Sequence, residues 1–144
     1  MHPTHRFQAD QIVAGYENKT IIQGVSLVIP SNKISVIIGA NACGKSTLLK
    51  TMARLIKPTS GQITLDGKPI GAIPPKQLAR VLGLLPQSPI VPDGISVSDL
   101  VGRGRFPHQS LLSGWSKKDY EAVDEAMRIM NITELAHRDI DELS

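Results

Sequence analysis

Apolar positions change their spacing several times along the 144 residues, and each change marks an element. Phe7 to Ala14 and Gly24 to Pro30 read as β-stretches, separated by a polar Glu17-Asn18-Lys19 turn that suits a hairpin. Lys33 to Ile38 is a nearly continuous β-branched run, the pattern of a strand buried on both faces of a parallel sheet. That run leads straight into Gly39-Ala-Asn-Ala-Cys-Gly-Lys-Ser46. After it Leu48, Leu49, Met52, Leu55 and Ile56 recur at helical spacing until Pro58 stops the helix.

Further on, Gln62 to Leu65 predicts a short strand, and Asp66-Gly67 a hairpin turn towards Pro69-Ile70. Lys76 to Arg80 suits a short helix, and Val81 to Leu85 another buried strand ending at Pro86-Gln87. From Pro89 the character changes. Ser96-Val-Ser-Asp99 and Ser116-Lys-Lys-Asp119 both read as helix caps with Asp in the place more often held by Glu or Gln. The second opens a helix with Tyr120, Val123, Met127 and Met130 on one face. A β-rich half therefore gives way, near residues 88 to 95, to a mostly helical segment, with no internal repeat.

With 41% apolar residues, a chain of this length can bury a real core, which argues against disorder. A lone Cys43 excludes an internal disulfide. The start, Met1 to Arg6, lacks the apolar stretch of a secretory signal, and no run approaches the roughly 18 residues of a membrane span. The expectation is a soluble cytoplasmic chain, in which the sequons at Asn18 and Asn131 are chance matches. His2 and His5 read as part of a terminus rather than as metal ligands.

The net charge of +3 is mild, but its placement is not. Asn18 to Pro92 carries nine Lys or Arg against one acid, Asp66, a net of +8; Asp93 to Ser144 carries a net of −4. The first region avoids acids, as a site for an anion would.

That region holds Gly39 to Ser46, which fits G-x-x-x-x-G-K-[ST], the phosphate-binding P-loop, in the required order of strand, loop and helix. Gly39 and Gly44 let the backbone approach phosphate closely, with Asn41, Ala42 and Cys43 in the wrap between them. Consecutive N–H groups and the positive helix start then point at the oxygens. Lys45 suits the β and γ phosphates, Ser46 a Mg²⁺ ion, and Thr47 lies beside the phosphates. Cys43, near Lys45 and a helix start, is a candidate reactive thiol, against the plainer reading of a small residue that fits the turn. A GTPase is disfavoured: no Asn-Lys-x-Asp motif follows, and Asp99-Leu-Val-Gly102 lies in a capped helical stretch.

These residues resemble the ATPase subunits of ABC transporters over essentially the whole chain. Tyr16, 23 residues before Gly39, stands where the family carries an aromatic that stacks on adenine. Gln87, 42 residues after Lys45, matches the family's Q-loop glutamine, which approaches Mg²⁺ and the attacking water. Val101 to Gln109, with the Ala-Cys form of the P-loop, is similar to the ferric-siderophore and cobalamin importer branch, closest to its ferric-enterobactin type. There this region lies near the membrane permease, which makes Arg103, Arg105 and His108 candidate docking residues. A solvated basic turn is the alternative reading of those three.

The resemblance implies an α/β P-loop fold with an antiparallel β-subdomain, a partial parallel core sheet and the start of a helical subdomain. Residues 1–90 would be the nucleotide-binding part and 91–144 the beginning of the helical subdomain. It further implies ATP and Mg²⁺ as ligands, a homodimer of ATPase subunits, permease partners at the cytoplasmic face of the inner membrane, and no nucleic acid. Leu143-Ser144 matches the first two residues of the family's Leu-Ser-Gly-Gly-Gln signature, and Asp141-Glu142 lacks the apolar strand of a Walker B motif. The family's general base is then absent, and these residues alone are expected to be inactive. The complete protein would hydrolyse MgATP to drive iron-siderophore uptake. Cobalamin or heme as cargo, a non-transport ABC ATPase of DNA repair or translation, and a P-loop kinase are the alternatives.

Overall fold

The computed structural model describes residues 6–17, 19–87, 92–110 and 114–143. Expectations that fall on His2, His5, Asn18, Pro89 and Ser144 lie outside the described residues. The chain forms two compact units, Met1–Leu84 and Leu85–Ser144.

In the first unit, β1 (Phe7–Tyr16) and β2 (Lys19–Ile29) form the expected hairpin, and β3 (Ser60–Leu65) pairs with the other edge of β1. With β4 (Lys68–Pro69) the order is β2-β1-β3-β4, antiparallel throughout. The β3–β4 turn is Asp66-Gly67 with φ of 53° and 76°, the doubly left-handed loop that matches strand twist. β1 is bulged at Gln11 (φ 47°), where its N–H donates to the Ser26 hydroxyl at 2.8 Å in place of a ladder bond. The inward residues of β1, Ala9, Ile12 and Ala14, meet Ile22, Ile63 and Leu65 of its neighbours. Leu48 and Met52 of α1 (Lys45–Met52) close the core over them.

α1 is shorter than its apolar spacing suggests. Arg54 takes a left-handed turn (φ 63°), so its N–H reaches the Thr51 carbonyl and that of Leu55 the Lys50 carbonyl, which closes the last turn. The Arg54 guanidinium fixes this turn by donating to the Ile73 carbonyl at 2.6 Å. α2 (Pro75–Ala79) follows as expected, with Leu78 buried.

Two expectations need correction. Neither Lys33 to Ile38 nor Val81 to Leu85 is a strand, and no parallel sheet forms among the described residues. A parallel strand holds its backbone groups only against a neighbour brought in by a crossover, and among the described residues neither segment has one. Ile37 and Leu82 pack partly on the core, whereas Ile34 is 94% and Ile38 88% exposed.

The second unit is helical. α3 (Val97–Gly102) is capped by Ser96, whose hydroxyl accepts from the Asp99 N–H at 3.2 Å. α4 (Lys117–Ile129) starts in a full capping box between Ser116 and Asp119. Its buried side is Asp119, Val123 and Met127; Tyr120 and Met130, expected on the same face, are exposed. Tyr120 instead meets Trp115, ring centroids 5.1 Å apart. Asp141 and Glu142 lie in a 3₁₀ turn (Ile140–Leu143), where an Asp141 carboxylate oxygen accepts from the Gly94 N–H at 3.3 Å.

Candidate nucleotide site

The loop before α1 is shaped by its two glycines. Gly44 has φ 99°, and a Cβ there would lie 2.9 Å from both Ile21 and Ile22 of β2. A Cβ on Gly39 would stand 2.8 Å from the Cys43 sulfur. A side chain at Gly44 would be strained at that φ and would crowd β2, and one at Gly39 would displace the Cys43 side chain within the loop.

α1 begins directly at Lys45, with no side-chain cap and no acid in its first turn. The positive end of the helix dipole thus meets neither a side-chain cap nor a first-turn acid, the condition an anion needs. Lys45 folds back over the loop, its Nζ donating to the carbonyls of Gly39 at 2.8 Å and Ala40 at 2.6 Å, with the Cys43 sulfur at 3.8 Å. The ammonium is therefore held against the loop. Asn41, Ala42, Cys43 and Ser46 are exposed, whereas Thr47 is buried and its carbonyl accepts from the Thr51 hydroxyl at 2.7 Å. Thr47 anchors the helix start, and Ser46 offers its hydroxyl to solvent.

Tyr16 ends β1 and is 46% exposed, with the Lys50 Nζ 5.9 Å from its ring centroid. Tyr16 and the loop belong to the same unit. Gln87 belongs to the second unit, in an exposed bend. Among the described residues no three His, Cys, Asp or Glu side chains gather as a metal cage.

In the second unit, Arg103 to His108 form a 3₁₀ segment with Arg103 and His108 exposed. Arg105 is engaged: its Nε donates to Asp119 at 2.9 Å. The Ser116 hydroxyl, the Ser116 N–H and then Arg105 lower the Asp119 pKa to about 2. Exposed Phe106 and Trp115 border an open depression with Asp99, Gly102, Arg103 and Gln109. Sequence reasoning missed Lys50 and the Arg105–Asp119 pair. The first was readable from its place four residues after Ser46; the second joins groups 14 residues apart and left no local signal.

A glycine-shaped loop opening a helix on a β-supported core defines a P-loop nucleotide-binding protein. The family model "ABC transporter" matches residues 22–144, and the chain belongs to that family. It is 45% identical over 130 residues to the "Probable siderophore transport system ATP-binding protein YusV" of Bacillus subtilis (strain 168), covering 90% of this chain and 47% of that protein. To the ferric enterobactin transport ATP-binding protein FepC of Escherichia coli (strain K12) it is 44% identical over 139 residues, 96% of this chain and 51% of the relative. The structure of a nucleotide-free ATP-binding cassette from an ABC transporter superposes with a TM-score of 0.74 at 25% identity, covering 97% of this chain and 59% of that one. The chain thus spans about half the length of the curated relatives it matches. Among the described residues no helix is long and apolar enough to cross a membrane.

Proposed function

We propose that this chain is the nucleotide-holding part of an ABC importer ATPase that couples MgATP binding and hydrolysis to iron-siderophore uptake. The observation that carries the reading is the Lys45 ammonium, held against a glycine loop at an unquenched helix start. Relatives named for siderophore and ferric enterobactin transport supply the cargo class.

Loop N–H groups bind the phosphate oxygens, and Lys45 exchanges its loop carbonyls for the β and γ phosphates, offsetting charge there. The donors suit Mg²⁺, which keeps several waters and takes other ligands from phosphates, so a single exposed hydroxyl at the helix start is sufficient protein ligation. Ser46 would hold the ion, and it would supply further neutralisation of phosphate charge. Tyr16 offers a face to adenine. Hydrolysis belongs to the complete subunit, working as a homodimer at the cytoplasmic face of the inner membrane. Arg103 and His108 meet the permease, with Arg105 tying that segment to α4 through Asp119.

The test is reconstitution of the complete protein with its permease. Lys45→Ala abolishes both ATP turnover and siderophore uptake; wild-type turnover by that variant refutes the assignment.

A further inference from the structure

Lys50 stands four residues after Ser46 on α1, so the two side chains share one helix face, about 6 Å apart along the axis. Ser46 marks the phosphate end of the candidate site. Lys50 marks its other end, because its Nζ lies 5.9 Å from the centre of the Tyr16 ring. That is within the reach at which an ammonium is attracted by the electron-rich face of an aromatic ring. No acid occurs within α1 to draw the ammonium elsewhere along the helix, and its position in the last turn suits the helix dipole.

Tyr16 needs such a tether. It sits beside the hairpin turn with nearly half its surface open, and an unheld ring would lose rotamer freedom on binding a base. An ammonium over the ring restrains it, while the exposed part of Tyr16 stays available to a flat partner.

The geometry points to Lys50 as a positioning residue for the base end of the nucleotide, holding the Tyr16 ring ready to stack on adenine. This rests on the proposed role of Tyr16 in binding ATP. Lys50 then acts on the base and not on the phosphates, unlike Lys45 on the same helix.

Titration calorimetry of the full chain with ATP and with inorganic tripolyphosphate separates those roles. Lys50→Met is expected to weaken ATP binding roughly two- to fivefold, the range for an exposed cation–π contact, and to leave tripolyphosphate binding unchanged. Lys50→Arg, which keeps a cation, restores wild-type affinity. In a Tyr16→Ala background, Lys50→Met adds no further loss.

Three results overturn the inference while leaving the nucleotide reading intact: unaltered ATP affinity in Lys50→Met, equal loss for ATP and tripolyphosphate, or an undiminished effect without Tyr16. Wild-type chain that binds neither ligand overturns both.

Discussion

β1 and the segment from Lys33 to Ile38 are written in the same alphabet of β-branched and apolar residues, yet they end in opposite environments. Ile12 of β1 is fully buried between β2, β3 and α1, whereas Ile34 and Ile38 stand almost wholly in solvent. The difference lies in pairing. β1 finds β2 through a short turn and β3 along its other edge, so its backbone groups are satisfied and its inner face is covered. The segment at 33–38 is suited to a parallel ladder, whose partners come only through long crossovers, and none is present among the described residues. β-propensity describes a surface that fits a sheet; a neighbour decides whether the sheet exists.

The largest expected effect separates these two regions directly. Ile12→Ala should destabilise the chain by about 2–5 kcal/mol in urea unfolding, through lost burial and the cavity left behind. Ile34→Ala should change stability by no more than about 0.5 kcal/mol. Equal losses would mean that both segments are buried in solution.

A second contrast sets buried apolar side chains against one buried charge. Asp119 faces the interior of the second unit, where Ser116 and then Arg105 hold its pKa at about 2. Because the folded value is depressed, Asp119 stabilises the fold above the ordinary carboxylate range and loses that contribution as pH falls from about 4 towards 2. Acid unfolding followed by circular dichroism should show this loss in the wild type, and Asp119→Asn should flatten it. An unchanged acid limb would mean that the cap and the arginine do not favour the charged form.

The smallest effect concerns the exposed Cys43 beside Lys45. A thiol alkylator should label it, and MgATP should slow the labelling. Equal rates with and without MgATP would place Cys43 outside the nucleotide's reach.

The parts legible in sequence were those whose determinants are contiguous. The loop from Gly39 to Thr47 carries its own glycines, lysine and helix start, and the Asp66-Gly67 turn carries the residues its backbone needs. Ser96 and Ser116 announced their helices for the same reason. The failures were non-local. The end of α1 depends on Arg54 reaching the Ile73 carbonyl, and the buried side of α4 depends on an arginine 14 residues upstream. Apolar spacing cannot report either contact. The acid-free stretch around the loop was legible in charge alone, and the helix start without an acid gives it a physical role.

In the proposed function, the loop opening α1 holds a nucleoside triphosphate through Lys45. Titration calorimetry of MgATP into wild type and Lys45→Ala tests it most directly. Wild type should bind MgATP saturably at one site, and the variant should lose at least tenfold in affinity with its fold unchanged by circular dichroism. Equal affinity of the two proteins for MgATP would contradict it.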